Sequence, residues 1–198
     1  MKYYPAFLNL KGRRALLFGA GEVALRKART LVQSGAQLTV ISREFSKPFQ
    51  KFARENGIKM RRGNQFPNQL DKVFLVVAAT SNSAFNRTIY KNCEQRGILV
   101  NVVDDPKHST FIVPSVLRRG LLQIAISTGG ASPLLAKTLR KKLAAQFGAG
   151  YSELVKRLAQ DRKKAKRKIR FGRERKNYFQ KLVTSQLKML ESKNSNKH

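Results

Sequence analysis

Residues 13–42 read RRALLFGAGEVALRKARTLVQSGAQLTVIS, and this stretch decides the fold. ALLF at 15–18 is an unbroken apolar run, the pattern of a strand buried on both faces. It breaks at Gly19-Ala20-Gly21-Glu22-Val23-Ala24, a GxGxxA fingerprint. The first glycine permits a tight turn, the second lets the backbone approach a pyrophosphate, and the small Ala24 lets the next helix pack against the strand. The spacing predicts a helix over 22–34 closed by Gly35. Its N-terminus would receive the pyrophosphate on free N–H groups and the positive end of the macrodipole. A second strand is expected at 37–41. A glycine fingerprint alone is a weak signal, because glycine turns occur throughout α/β proteins. Here the strand before it, the helix after it and the second strand all fall at the spacing of a dinucleotide-binding βαβ unit. Gly19, Gly21, Glu22, Val23 and Ala24 are therefore candidate cofactor contacts.

The same grammar continues outward. After an extended lead-in at 3–10, and beyond the fingerprint unit, 45–56 reads as a helix stopped by Gly57. A third strand follows at 58–62, and 64–71 reads as a loop broken by Pro67. VFLVVAA at 73–79 is the most apolar run of the chain and reads as a central parallel strand. It ends in Ala79-Thr80-Ser81-Asn82, small and polar residues suited to cover a nucleotide at the carboxyl end of a strand. A helix over 83–96 stops at Gly97, and a strand at 98–103 runs into Asp104-Asp105-Pro106. Strands alternating with helices imply right-handed crossovers and an α/β, Rossmann-type doubly wound parallel sheet over 1–110.

Beyond Pro106 the grammar changes. Two strand-like runs, 111–117 and 121–127, are joined by Arg118-Arg119-Gly120 and read as a hairpin. Thr128-Gly129-Gly130-Ala131-Ser132-Pro133 then leads into a helix over 133–147, with Ser132 as N-cap and Pro133 at the first helical position. This makes a small α+β module over 111–148. A basic helical region over 149–198 follows, where Leu154, Val155 and Leu158, then Phe179, Leu182, Val183, Leu187 and Leu190, recur at helical spacing. From 191 onward the chain is polar and expected to be disordered.

Hydrophobic content of 41% is ordinary for a folded domain, but 41 Lys+Arg against 11 Asp+Glu give a formal charge of +30. Such a chain attracts polyanions: nucleic acid, an anionic membrane or a small molecule bearing several acidic groups. From Tyr151 onward sixteen Lys/Arg face four Asp/Glu, so the tail is the most basic part. Its runs RKKAKRKIR and GRERK lack aromatic interleaving or a known reader motif, and read as solvated helix faces rather than a nucleic-acid site. One cysteine, Cys93, excludes an intramolecular disulfide and any multi-cysteine metal site, and reads as a buried structural thiol. With no signal-peptide core and no apolar run near membrane-spanning length, the expected location is the cytoplasm, without a membrane partner.

Four places can carry chemistry. Asp104 and Asp105 are an acidic pair just past a strand, where cofactor and substrate of a dinucleotide enzyme meet. A carboxylate there can accept a proton as hydride leaves, or the pair can simply cap a turn before Pro106. Residues 127–132 combine hydroxyls, two glycines and a helix end, either a cradle for an anion or a flexible turn. His108 stands alone and reads as an exposed loop histidine. Ser42, Arg43 and Glu44 follow the second strand, where an acid usually binds the adenosine ribose. Arginine favours a 2′-phosphate and glutamate a 2′-hydroxyl, so this position leaves NAD and NADP both open.

Taken together, YPAFLNLKGRRALLFGAGEVALRKA, VAATSN with Asn86, NVVDDP, FIVPSVLRRG and IAISTGGASPLLAKTLRKKL resemble the precorrin-2 dehydrogenase and sirohydrochlorin ferrochelatase family, the N-terminal module of siroheme synthases. The motifs cover roughly residues 3–143 in the family's order. The resemblance implies that NAD at the glycine loop, with Ala79 and Thr80 beside it, accepts a hydride from precorrin-2 to give sirohydrochlorin. It also implies that the first aspartate of NVVD, Asp104, is the important acid. It further implies a central dimerisation module, a helical C-terminal domain and an interlocked homodimer. The substrate's carboxylate arms suit a basic cleft, with Arg118, Arg119, Lys137 and Arg140, and with Thr128, Gly129, Gly130 and Ser132, as candidate contacts. Some members insert iron or cobalt, and no protein metal site is expected here. The large methyltransferase domain of the trifunctional members is absent from this sequence, Ala144 stands where many relatives carry an acid, and the tail is unusually basic. Three readings follow: NAD-dependent dehydrogenase, with or without chelatase activity; chelatase without a cofactor; and NAD(H)-sensing regulator whose tail binds nucleic acid.

Overall fold

Strand β1 (Arg14–Phe18) explains the architecture, because its side chains alternate between two buried layers. Ala15 and Leu17 pack with Ala24, Leu25, Ala28 and Leu31 of α1 (Glu22–Gln33) and with Phe49 and Ala53 of α2 (Lys47–Glu55). Leu16 and Phe18 pack on the other face with Ile89 and Cys93 of α3 (Ser83–Glu94). Phe18 meets Phe85 of α3 edge-on at 5.8 Å. A strand covered on both faces has no polar side to show, which is why its sequence is continuously apolar. The structure is a computed structural model and describes residues 3–64, 72–169 and 172–195.

Strands β2 (Gln37–Ser42), β3 (Lys59–Arg62), β4 (Val73–Ala78) and β5 (Leu99–Val102) complete a five-stranded sheet in the order β3-β2-β1-β4-β5, with every pairing parallel. The chain turns outward in one direction from β1 to β3, then returns to β4 on β1's other side. That switch places a crevice beyond the carboxyl ends of β1 and β4, where open α/β sheets bind ligands. At the edge, β3 is KMRR and exposed throughout, and its cations discourage pairing with another strand. The loop expected at 64–71 lies, from residue 65, outside the described residues.

Local chemistry moved several boundaries. Helix α2 begins at Lys47, not Phe45, because the Ser46 hydroxyl caps it, accepting from the Phe49 N–H at 3.4 Å while donating to the Ala20 carbonyl at 2.9 Å. The first hairpin strand starts late: β6 is Ser115–Arg119 and β7 is Leu122–Ile126, paired antiparallel. The segment before β6 is instead laced to β5. The Thr110 N–H donates to the Val100 carbonyl at 2.8 Å, and the Asn101 side chain donates to the Phe111 carbonyl at 3.1 Å.

The chain divides into two compact units, Met1–Val113 and Pro114–His198. In the second, α4 (Pro133–Gln146) is capped by Ser132, whose hydroxyl accepts from the Leu135 N–H at 3.2 Å. Helices α5 (Gly150–Lys168) and α6 (Arg173–Ser195) follow, with Leu154, Ala165 and Leu190 buried and Arg162 over the Phe179 ring at 5.6 Å. Disorder was expected from 191, yet α6 continues to Ser195. Among the described residues no helix is long and apolar enough to cross a membrane.

Candidate active site

A cleft of about 760 Å³ opens beyond the carboxyl ends of the strands, and the glycine turn, the 79–82 turn and Asp104 all line it. Gly19 is required by the protein itself. Its φ is +98°, and a Cβ there would collide with the Ala79 carbonyl. Its N–H donates to the Ile41 carbonyl, and the Ala79 N–H to the Phe18 carbonyl, each at 2.9 Å, so turn and strands are tied together. Gly21 is different. Its φ is −83°, open to any residue, and a Cβ there would meet nothing within 4 Å. It is the N-cap of α1, and no side chain caps that helix. The first-turn N–H groups therefore face space that a bare backbone keeps clear, the arrangement a pyrophosphate needs. Ala24 is 1% exposed, small enough for α1 to lie against the sheet.

Around this turn, Arg43 and Glu44 are exposed on the cleft wall, and the Ser42 hydroxyl donates to the Glu44 carbonyl at 2.6 Å. The Thr80 hydroxyl donates to Oδ1 of buried Asn86 at 2.6 Å, and Asn86 Nδ2 donates back to the Thr80 carbonyl at 3.0 Å. Asn86 thus pins the turn from beneath, and Thr80 meets the cleft with its hydroxyl proton already given to that bond.

The acidic pair divides its work. Asp105 caps a single 3₁₀ turn, Pro106–His108: its Oδ1 accepts from the His108 N–H at 3.3 Å and its Oδ2 lies 2.7 Å from His108 Nδ1. Hydrogen bonding to His108 holds the Asp105 carboxyl below its usual range. Asp104 lines the cleft, on a backbone with φ of +60° that non-glycine residues seldom adopt. His108 corrects an expectation: it is not a free loop histidine but half-buried, bonded to Asp105 and edge-on to Tyr90 at 5.3 Å.

The second unit holds the other candidates. Arg119 has structural partners of its own. Its Nε donates to the Phe147 carbonyl at 2.8 Å, and its terminal nitrogens donate to the Ala144 and Arg118 carbonyls, so it caps the C-terminus of α4. The 127–132 turn also closes on itself. The Ser127 hydroxyl accepts from the Gly129 N–H at 3.0 Å, and Thr128 accepts through its hydroxyl from the Ser132 N–H at 2.9 Å and through its carbonyl from the Ala131 N–H at 3.1 Å. Gly129 and Gly130, with φ of +66° and +93°, supply the reversal. Arg118 and Lys137 are exposed, and Arg140 is half-buried three residues along α4 from Lys137.

One residue near the cleft went unremarked in the sequence. Lys27, on α1, is half-buried; burial lowers its ammonium pKa, the Asp104 carboxylate opposes that shift, and Arg26 adds to it. In the chain it is one cation among several in ALRKART, and only folding separates it from its exposed neighbours Arg26 and Arg29.

A parallel sheet switching direction at a glycine turn, with an uncapped helix N-terminus behind it, defines a Rossmann-type dinucleotide-binding unit. Comparison agrees: the NAD(P)-binding family model matches residues 6–115, and the model of the sirohaem biosynthesis protein central region matches residues 119–146. The chain belongs to this NAD(P)-binding family, and its cofactor is a nicotinamide dinucleotide. It is 38% identical over 184 residues to siroheme synthase 2 of Yersinia enterocolitica, covering 93% of this chain and 39% of that one. It is 36% identical over 190 residues to the siroheme synthase of Photorhabdus laumondii, covering 96% and 40%. The chain thus spans about two fifths of the length of these curated relatives. Among solved structures it superposes on "SirC, precorrin-2 dehydrogenase" with a TM-score of 0.75 and 26% identity, covering 96% of this chain and 98% of that one.

Proposed function

We propose that the chain is an NAD-dependent oxidoreductase that dehydrogenates precorrin-2 to sirohydrochlorin. The observation that carries this reading is the meeting, in one cleft, of the glycine turn and the Asp104 carboxylate, within a fold that follows a precorrin-2 dehydrogenase along nearly its whole length. Bound NAD supplies the hydride acceptor. The chain's own residues do the rest. Gly19 and Gly21 leave the backbone bare, and the α1 N-terminus holds the pyrophosphate. The 79–80 turn, braced by Asn86, walls the site, with Ser42, Arg43 and Glu44 toward the ribose. The substrate gives up one hydride and one proton, and Asp104 receives the proton. Arg118, Lys137 and Arg140, with the Thr128–Gly129–Gly130–Ser132 turn, hold the carboxylate arms; Arg119 acts behind them as a brace for α4.

A homodimer fits the second unit. A two-stranded sheet is marginal alone, and this unit exposes Leu134 at 73%, Leu121 at 68% and Leu135 at 49%. A second copy of 111–148 would bury them, leaving 149–198 as a helical region. The single buried thiol suits a reducing cytoplasm. Chelation of iron or cobalt by the product's own nitrogens is a second reading, with Asp104 again as base.

The test is anaerobic incubation of the purified chain with precorrin-2 and NAD, following NADH formation and the sirohydrochlorin spectrum. Asp104→Asn is the informative variant, since asparagine tolerates the same backbone. Turnover should fall at least a hundredfold while NAD still binds. Absence of conversion by protein that binds NAD overturns the dehydrogenase reading, and repeating the assay with a divalent metal and sirohydrochlorin decides chelation.

A further inference from the structure

Asp104 stands at the apex of a turn that two neighbouring elements hold shut. Its φ of +60° is one that a residue other than glycine keeps only where its surroundings impose it. On the sheet side, the Val103 N–H donates to the Ala78 carbonyl of β4 at 2.9 Å, and the Asp105 N–H donates back to the Val102 carbonyl at 3.2 Å. The buried Ser109 hydroxyl closes the loop, accepting from the Val102 N–H at 2.9 Å and donating to the Asp105 carbonyl at 2.8 Å. On the side of α3, the Asp105 carboxylate accepts from the His108 N–H and lies 2.7 Å from His108 Nδ1, and the His108 ring rests edge-on against Tyr90 at 5.3 Å. Tyr90 is itself held by its hydroxyl, which donates to Glu94 one turn along the helix. Among the described residues no donor hydrogen-bonds to the Asp104 carboxylate, so the backbone beneath it sets where it points.

We propose that His108 is a positioning residue for Asp104, clamped between Asp105 and Tyr90 so that the turn stays shut and the Asp104 carboxylate stays at the cleft. The role rests on the reading of Asp104 as proton acceptor. A proton passes only to an acceptor within hydrogen-bond reach of the atom that gives it up, and a backbone free to leave the left-handed region would carry the carboxylate out of that reach. The cap of the 3₁₀ turn needs only the backbone N–H of residue 108, which any residue but proline supplies. The imidazole does more: it takes the second oxygen of Asp105 and fastens the turn to α3, the helix whose Phe85 also lines the cleft.

Two substitutions, a double-mutant cycle and amide exchange test this. His108→Ala keeps the backbone N–H that Asp105 caps and removes the ring. It should bind NAD within about twofold of the wild type, yet convert precorrin-2 roughly tenfold more slowly in single turnovers with enzyme in excess. His108→Asn, whose amide nitrogen takes the place of Nδ1, should recover much of the loss. In an Asp104→Asn background the same His108→Ala change should cost less than about twofold, because no carboxylate is left to position. A purely structural histidine would cost the same factor in both backgrounds. Independently of turnover, hydrogen exchange at the Asp105 amide reports whether the turn opens, and it should speed by roughly tenfold in His108→Ala. Equal losses in the two backgrounds, a fully active His108→Ala or an unmoved exchange rate overturns the proposal. If the wild type itself converts no precorrin-2, the proposed function fails while the exchange rate still decides whether the histidine holds the turn shut.

Discussion

Both units contain a glycine turn that runs into a helix, and the two turns solve the same backbone problem in opposite ways. At 127–132 the chain partly satisfies itself: three hydroxyls and a carbonyl take up the N–H groups of Gly129, Ala131, Ser132 and Leu135. At 19–24 it does not. No side chain caps α1, and the space above Gly21 is clear. A helix N-terminus capped by its own serine keeps fewer free donors for an anion, whereas one opened by glycine keeps all of its donors for a guest. Glycine content alone does not separate the two; the presence or absence of hydroxyls beside the glycines does.

Substitutions in the two turns sharpen this contrast. The largest effect is expected from Gly19→Ala, which forces a side chain onto a backbone with φ of +98° and into the Ala79 carbonyl. It should cost about 3 kcal/mol or more of stability and abolish NAD binding, read by thermal melting and NADH fluorescence. Gly21→Val comes next and should separate the two quantities. Stability should change by about 0.5 kcal/mol or less, while NAD affinity falls by roughly tenfold or more, about 1.4 kcal/mol. Equal losses in both would mean that Gly21 serves the fold and not the ligand. Ser132→Ala should lower stability by about 1 kcal/mol through loss of the α4 cap and leave NAD affinity untouched. The smallest effect belongs to Glu22→Gln. Removing the acid from the first turn of α1 should tighten NAD binding by about 0.3–1 kcal/mol at low salt, because its charge competes for the same helix end.

Much of the first unit was legible before folding was considered. β1 and β4 announce themselves because strands buried on two faces have no polar alternation to hide behind, and Gly19 and Gly21 stand at a spacing with a known mechanical meaning. The second unit was less legible. Phe111 belongs to no strand because its carbonyl is taken by Asn101 of β5, a partner ten residues away that no local pattern reveals. Arg119 marks the same limit more sharply. A long cationic side chain is written identically whether it braces a helix end or faces water, and tertiary packing alone chooses. His108 was misjudged for the same reason: a histidine in a loop becomes part of a cap only once Asp105 and Tyr90 arrive beside it.

Cys93 lies fully buried between α3 and the sheet, and burial pushes its thiol up to about 12. At pH 8 only about one molecule in ten thousand would carry the reactive thiolate, and even that one is sealed from reagents. The chain therefore carries its own unfolding gauge: a chromogenic disulfide reagent stays colourless while the α3 layer is shut and develops one equivalent of colour as it opens. Any variant of the cleft can thus be ranked for integrity in the same cuvette, with no label added.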